Sequence, residues 1–189
     1  MKPGDRVAEH GDQVFTVLAA ELTPAEARAV LKGDGVVVDD EGTVLGTVTA
    51  QELAYADAET LASWRALPPA VEVHADQTFA QFADSSAVTL LLLGITRLVL
   101  TRDGTPVGLL PVARVTDYLA SGAHPLPGNE MGPAGASSDG ALPGRVRLAA
   151  AHVACSHCGY RNVLEHWNPR RPPRCANPDR APHELELDG

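Results

Sequence analysis

Residues 35–53 read GVVVDDEGTVLGTVTAQEL, and residues 97–115 read RLVLTRDGTPVGLLPVARV. The two stretches align without a gap at an offset of 62 residues, with Val37 on Val99, Gly42 on Gly104, Thr43 on Thr105 and Gly46 on Gly108. Each copy runs from an apolar stretch through an acidic-Gly step to a second apolar stretch and then an amphipathic one. That order predicts strand, tight hairpin, strand, helix. Asp40-Glu41-Gly42 and Arg102-Asp103-Gly104 form the turns, and their glycines supply the positive φ.

Each hairpin has a preamble. Val14–Ala19 is a strand candidate. Thr23-Pro24-Ala25-Glu26 then opens a helix, with Thr23 as N-cap, Pro24 in the first turn and Glu26 completing a capping box. Gly33 is the expected helix stop. In the second copy Val71–His74 is the strand, and Asp76 is expected to cap a helix holding Phe79, Phe82 and Ala83. Ala87–Gly94 is so uniformly apolar that periodicity leaves both helix and buried strand open. The unit is β-α-β-β-α, twice, and the fold class is α+β. One copy of about 60 residues is marginal by itself, so two copies are expected to bury each other's sheet faces.

The doubled unit resembles the CBS domain pair, or Bateman module, over residues 10–122, on "VVVDDEGTVLGTVTAQEL" and "LVLTRDGTPVGLLPVARV". The resemblance implies two repeats, 10–62 and 68–122, packed about a pseudo-twofold axis. It also implies a regulatory role, a homodimer, and adenine nucleotides bound in the clefts between repeats. The family's binding segment runs Gly, apolar, any residue, Thr or Ser, two residues, Asp. Here the first copy has Gly46-Thr47-Val48-Thr49-Ala50-Gln51-Glu52, so the resemblance carries nucleotide binding to Gly46, Thr47, Thr49 and Glu52. Glu52 stands where the family has Asp, with its carboxylate one methylene farther out. The plain alternative makes Thr49 an N-cap and Glu52 a first-turn acid facing the helix dipole. In the second copy Pro111 has neither hydroxyl nor N–H, and Arg114 accepts no hydrogen bond. That site is expected to be lost unless Arg114 has turned to phosphate.

The chain of 189 residues has a net charge of −9. Residues 1–120 carry 8 basic and 17 acidic side chains, whereas 145–180 carry 7 basic and two acidic ones. An acidic first half repels polyanions, so AMP- or adenosine-like ligands are favoured over a metal-free triphosphate, and nucleic acid is disfavoured as a partner. From Ser121 to Gly144, six Gly and four Pro leave no periodicity, which predicts a Pro/Gly linker over 123–145. The longest apolar run, Ala87–Leu100, contains Arg97 and is too short to span a bilayer. With no apolar segment behind the first residues, no secretory signal is expected and a cytoplasmic protein is.

Residues 146–189 read as a zinc-ribbon-like module. Cys155-Ser156-His157-Cys158-Gly159 is a C-x2-C-G turn, and sixteen residues separate Cys158 from Cys175. Cys155, Cys158, Cys175 and His183 make a Cys3His set suited to structural Zn2+. His183 is preferred as the fourth ligand because ribbons take two ligands from each of two loops. His166 is second, with His152 and His157 nearby. Arg161–Leu164 is expected as a strand, with turns at Asn168-Pro169 and Pro172-Pro173. A redox pair and free thiols are the competing readings of the cysteines. The module has few large apolar side chains, so without metal and in isolation it should be unstable.

No nucleophile elbow, phosphate loop or paired-carboxylate pattern is present, and a non-enzyme is expected. The primary functional expectation is a CBS pair that senses an adenine-type nucleotide (AMP, ADP or ATP), with the zinc module as output toward an unidentified protein partner. The alternatives are an adaptor whose CBS-like pair is only a dimerisation scaffold, and a nucleic-acid-binding ribbon presenting Arg170, Arg171 and Arg174.

Overall fold

Side-chain caps fix most of the helix starts. In the computed structural model, which describes residues 1–121, 149–168 and 170–187, Thr23 caps α1 (Pro24–Val30) with a full capping box through Glu26. Thr49 caps α2 (Ala50–Tyr55) in the same way through Glu52. In the second repeat Thr78, not Asp76, caps α3 (Phe79–Ala83), with Gln81 completing the box. The expectation for Asp76 fails because its carboxylate is drawn away to Arg102, whose Nη2 donates to it at 3.0 Å. Ser85 caps α4 (Ser86–Leu92), so the ambiguous apolar run is a helix. α5 (Val112–Ala120) starts at Pro111 without a side-chain cap. The helix α1 ends ahead of Gly33, whose φ of +73° turns the chain into β2.

The fold is α+β. β1 (Phe15–Ala19) pairs in parallel with β2 (Asp34–Val38), and β2 pairs antiparallel with β3 (Val44–Val48), giving the sheet order β1-β2-β3. The second repeat repeats this with β4 (Val71–His74), β5 (Leu98–Arg102) and β6 (Thr105–Leu110). The hairpins differ by one step of register. In the first copy Val37 faces Gly46, and in the second Leu100 faces Gly108, although the aligned partner of Val37 is Val99. The cause is the turn. Asp103 (φ +51°) and Gly104 (φ +81°) close a two-residue loop between paired Arg102 and Thr105. The first copy loops out Asp40-Glu41-Gly42, with the Asp39 carboxylate accepting from the Glu41 and Thr43 amides at 3.1 and 2.7 Å.

The repeats meet across an apolar cluster of Val36, Val44, Ala70 and Val99, flanked by Phe15, Val38 and Leu109. Val36 and Val99 come from corresponding strands, as a pseudo-twofold pairing requires. Behind it, the first repeat has its own core around Leu18, Val37, Leu61 and Trp64.

The C-terminal segment does more than fold on itself. β7 (Ala150–Ala154) pairs with β4, placing Ala151 opposite Val71, and β8 (Arg161–Leu164) follows it, so the second sheet runs β6-β5-β4-β7-β8. Val153, Cys155, Leu164, Cys175 and Leu185 share one buried core with Phe79, Phe82, Leu98 and Tyr118 of the second repeat. β8 occupies the expected Arg161–Leu164, whereas β7 had no strand assigned to it in the sequence. The Pro/Gly segment 123–145 and Pro169 lie outside the described residues. Among the described residues no helix is long and apolar enough to cross a membrane.

Candidate metal centre and inter-repeat cleft

The C-x2-C-G turn is built by its own backbone. The Gly159 amide donates to the Cys155 carbonyl at 2.7 Å, and the Cys155 amide donates to Tyr160 at 2.9 Å. Gly159 takes a φ of +75°, which suits glycine. The second loop is tied to it, with the Cys175 amide donating to the His183 carbonyl at 3.0 Å and the Ser156 amide to Glu186 at 2.9 Å. These bonds bring the ligand atoms of Cys155, Cys158, Cys175 and His183 within 4.8 Å of one another. Cys158 and Cys175 sulfurs are 3.6 Å apart, and Cys155 Sγ is 3.6 Å from His183 Nε2. A tetrahedral zinc with ordinary Zn–S and Zn–N bonds spaces its donors about 3.5–3.8 Å apart. The Cys3His cluster therefore fits a zinc-binding module.

The surrounding groups prepare the donors. His183 Nδ1 donates to the Ala181 carbonyl at 2.9 Å, which leaves Nε2 facing the sulfurs as a ligand atom. The Asn177 side chain donates to Cys158 Sγ at 3.5 Å, and the Asn162 side chain to Cys175 Sγ at 3.6 Å. The Asn177 side-chain amide, helped by the Tyr160 backbone amide, pulls the Cys158 thiol down to about 6. Burial opposes ionisation of Cys155, but the Glu186 and Cys158 amides outweigh it and its pKa falls. Burial pushes the Cys175 thiol up. The Ala181 carbonyl and the Cys155 side chain raise the imidazole of His183 to about 9. Asn162 is itself buried, and its Oδ1 accepts from the Ala176 amide at 2.7 Å. Neither asparagine was singled out in the sequence. Asn177, two positions after Cys175, was the available signal.

The other histidines stand elsewhere. His166 is exposed and lines a separate recess with Asn168 and Arg171. His157 lies against the His183 ring, with centroids 4.7 Å apart. His152 is half-buried, and burial, then Arg161, lowers its pKa.

The expected nucleotide residues lie at the seam between repeats. Thr49 and Glu52 form the α2 capping box: the Thr49 amide and hydroxyl donate to Glu52 Oε2 at 2.8 and 2.9 Å, and the Glu52 amide donates to Thr49 Oγ1 at 3.2 Å. Glu52 Oε1 is ion-paired with Arg97 of the second repeat. Burial opposes ionisation of Glu52, but the Arg97 guanidinium and the Thr49 donors outweigh it and hold the carboxyl below its ordinary 4.5. Arg97 also donates to the Thr47 carbonyl and hydroxyl, each at 3.2 Å. Thr47 is buried, and its amide donates to the Pro68 carbonyl at 3.0 Å. Gly46 is pressed against the same Pro68 carbonyl and Leu67. A Cβ at that position would strike backbone, so Gly46→Ala is expected to destabilise the chain by about 1–3 kcal/mol in a chemical denaturation titration. An unchanged midpoint would contradict this packing.

A cleft of about 310 Å³ opens between the repeats, lined by Thr47, Thr49, Arg97, Asp12, Asp34 and Pro111 among others. A second recess of about 590 Å³ lies beyond Arg97, with Glu52, Tyr55 and Trp64. In the second copy Pro111 offers no cap, and Arg114 is exposed and does not line the cleft. Arg97 lies outside the aligned binding segment, so only the fold brings it to this seam.

No family model matches the chain, and no curated protein matches it. Solved structures similar to it include CBS-pair proteins. One is CBSX2 in complex with AMP, at 19% identity and a TM-score of 0.42, covering 62% of this chain and 98% of that one. A CBS domain pair/ACT domain protein from Thermotoga maritima is 14% identical, with a TM-score of 0.40 over 62% of this chain and 98% of that one. A conserved protein from Pyrococcus horikoshii is 11% identical, with a TM-score of 0.43 over 63% of this chain and 95% of that one. At these identities and overlaps, the tandem-repeat fold rests on the topology above.

Proposed function

We propose that this chain is a non-catalytic regulatory protein of the CBS-pair type. It binds an adenine-type nucleotide between its repeats and passes the change to a zinc-holding C-terminal module. The observation that carries this reading is the way that module is seated. β7 is a strand of the second repeat's sheet, while the Arg161 guanidinium donates to the first repeat's Leu45 and Trp64 carbonyls at 3.4 and 3.2 Å. Arg161 is half-buried and, among the described residues, has no ion-pair partner. A ligand that alters how the repeats meet therefore strains a module anchored on both. Such coupling needs a ligand with unequal affinity for the two arrangements. Zinc, held by Cys155, Cys158, Cys175 and His183, is structural here, because four protein donors leave no position for reacting water.

Thermal melts of the full chain with AMP, ADP and ATP test this. A nucleotide at about 100-fold over its Kd adds about 2.7 kcal/mol, which is about 5–10 °C for a chain of this size. No shift with any of the three defeats nucleotide sensing.

A second reading is supported by the capping box and the Arg97 pair that occupy Glu52, and by the missing donor at Pro111. In it the paired repeats are a scaffold for a homodimer, and the zinc module recruits a protein partner. It expects no nucleotide effect, a stable dimer in sedimentation, and loss of the partner on Cys175→Ala.

A further inference from the structure

We infer that the outer edge of β1 pairs antiparallel with β1 of a second copy of this chain, joining two first-repeat sheets into one. The pairing needs no nucleotide. It gives the homodimer of the scaffold reading, on which it rests, a place of contact.

The second repeat shows what such an edge accepts. β1 and β4 are the first strands of their repeats, and each runs parallel to the strand that follows it. The other edge of β4 is covered by β7, antiparallel, with Val71 opposite Ala151 and Glu72 opposite Ala150. The same edge of β1 ends its sheet. The remaining edges are met or charged. Leu109 of β6 exchanges two backbone bonds with Asp12, at 2.7 and 2.9 Å, and the Thr47 amide of β3 donates to Pro68 at 3.0 Å. β8 carries Arg161 and is followed by Glu165.

The backbone of β1 is set to receive a strand. The Ala20 amide donates to the Val38 carbonyl at 2.8 Å. Bonding directions alternate along a strand, so Thr16 and Leu18 also turn to β2, while Phe15 and Val17 send amide and carbonyl outward. Among the described residues neither has a backbone partner outside the β1–β2 ladder. Val17 is 48% exposed and Val14 76%. Edge strands are commonly blunted by charge, proline or a bulge. Gln13–Ala20 has no charge and no proline, and β1 keeps an unbroken register.

The chain's own copy fits this edge. With Phe15 opposite the partner's Val17, outward groups meet outward groups, and the pair exchanges about four main-chain hydrogen bonds. Thr16 then faces the partner's Thr16, and Asp12 faces the partner's Ala20. No carboxylate opposes another, although this half of the chain has 17 acidic side chains. A basic strand from another protein would find no carboxylate within Gln13–Ala20 to recognise it. Identical patches close on a twofold axis, so the assembly stops at two.

Sedimentation velocity of the full chain, with amide exchange on the same samples, tests the pairing. A contact this short lies at the small end of specific interfaces, so a dimer is expected at about 100 µM and a monomer below about 1 µM. Val17→Lys is expected to weaken the dimer about tenfold or more. It should move the melt of the dilute chain by no more than about 2 °C, because Val17 is half exposed. In the natural chain the Phe15 and Val17 amides are expected to exchange about tenfold slower at the higher concentration. That readout decides the matter even if the lysine variant fails to fold. A dimer in which those two amides exchange as fast as in the monomer overturns the β1 pairing and leaves a homodimer joined elsewhere. So does a folded Val17→Lys chain that dimerises as the natural one does. A natural chain that stays monomeric at about 100 µM overturns both the pairing and the homodimer.

Discussion

Replacing Cys175 by serine is expected to release zinc and unfold residues 155–187, with the damage spreading into the second repeat before the first. Structural zinc contributes about 10–16 kcal/mol in small modules, which matches or exceeds the whole stability of an ordinary domain, about 5–15 kcal/mol. Cys175 is buried, and the loop it anchors holds Leu185 against the core of the second repeat. Loss of the metal leaves two thiols and an imidazole facing one another with nothing to join them. Val153, Leu164 and Leu185 then leave the core they share with Leu98 and Tyr118. β4 also loses its β7 neighbour and becomes an unpaired edge. Elemental analysis is expected to give one zinc per chain for the natural protein and none for the variant. Amide exchange should rise across 149–187 and β4, and least in β1–β3. A variant that keeps its zinc, or a natural protein that never holds one, sinks the structural-zinc reading. Exchange rising equally in β1–β3 would instead show that the repeats unfold as one unit.

The second large effect is expected from Val99→Asp. Val99 is fully buried in the cluster between the repeats, with Val36, Val44 and Ala70. None of those neighbours offers a side-chain donor, so the new carboxylate would either stay charged without a partner or take up a proton. Either course costs several kcal/mol. Because the site is the seam, the predicted outcome is parting of the repeats and cooperative loss of the native melt. Val99→Ala, which removes only apolar contact, should cost about 1.5–3 kcal/mol and leave a folded chain. A Val99→Asp protein that melts like the natural one would mean the seam is not what holds the repeats together.

Several elements were legible in the sequence because the interactions behind them are local. The Thr23 capping box joins residues three apart and forms as read, and Thr49 caps α2, with Glu52 closing a box the sequence reading had not assigned. The acidic-Gly turns place Gly42 and Gly104 at positive φ. Asp76 misled because its spacing to Phe79 resembles a cap, while its true partners, Arg102 and Arg6, lie 26 and 70 residues away in the chain. The gapless alignment of the hairpins hid a one-step difference in register, since a two-residue and a three-residue loop fit strings of equal length.

By itself the sequence determined the repeated β-α-β-β-α unit and a Cys3His spacing able to close on a metal. Tertiary structure alone decided where those parts stand. It put β7 beside β4, sent Arg161 across to the first repeat, and swung Arg97 over the seam onto Glu52. The division follows from chain distance. A cap or a turn is selected by neighbours whatever the rest of the molecule does. A strand pairing or a half-buried guanidinium gains its energy only after distant segments have met, and no pattern along the chain records that meeting.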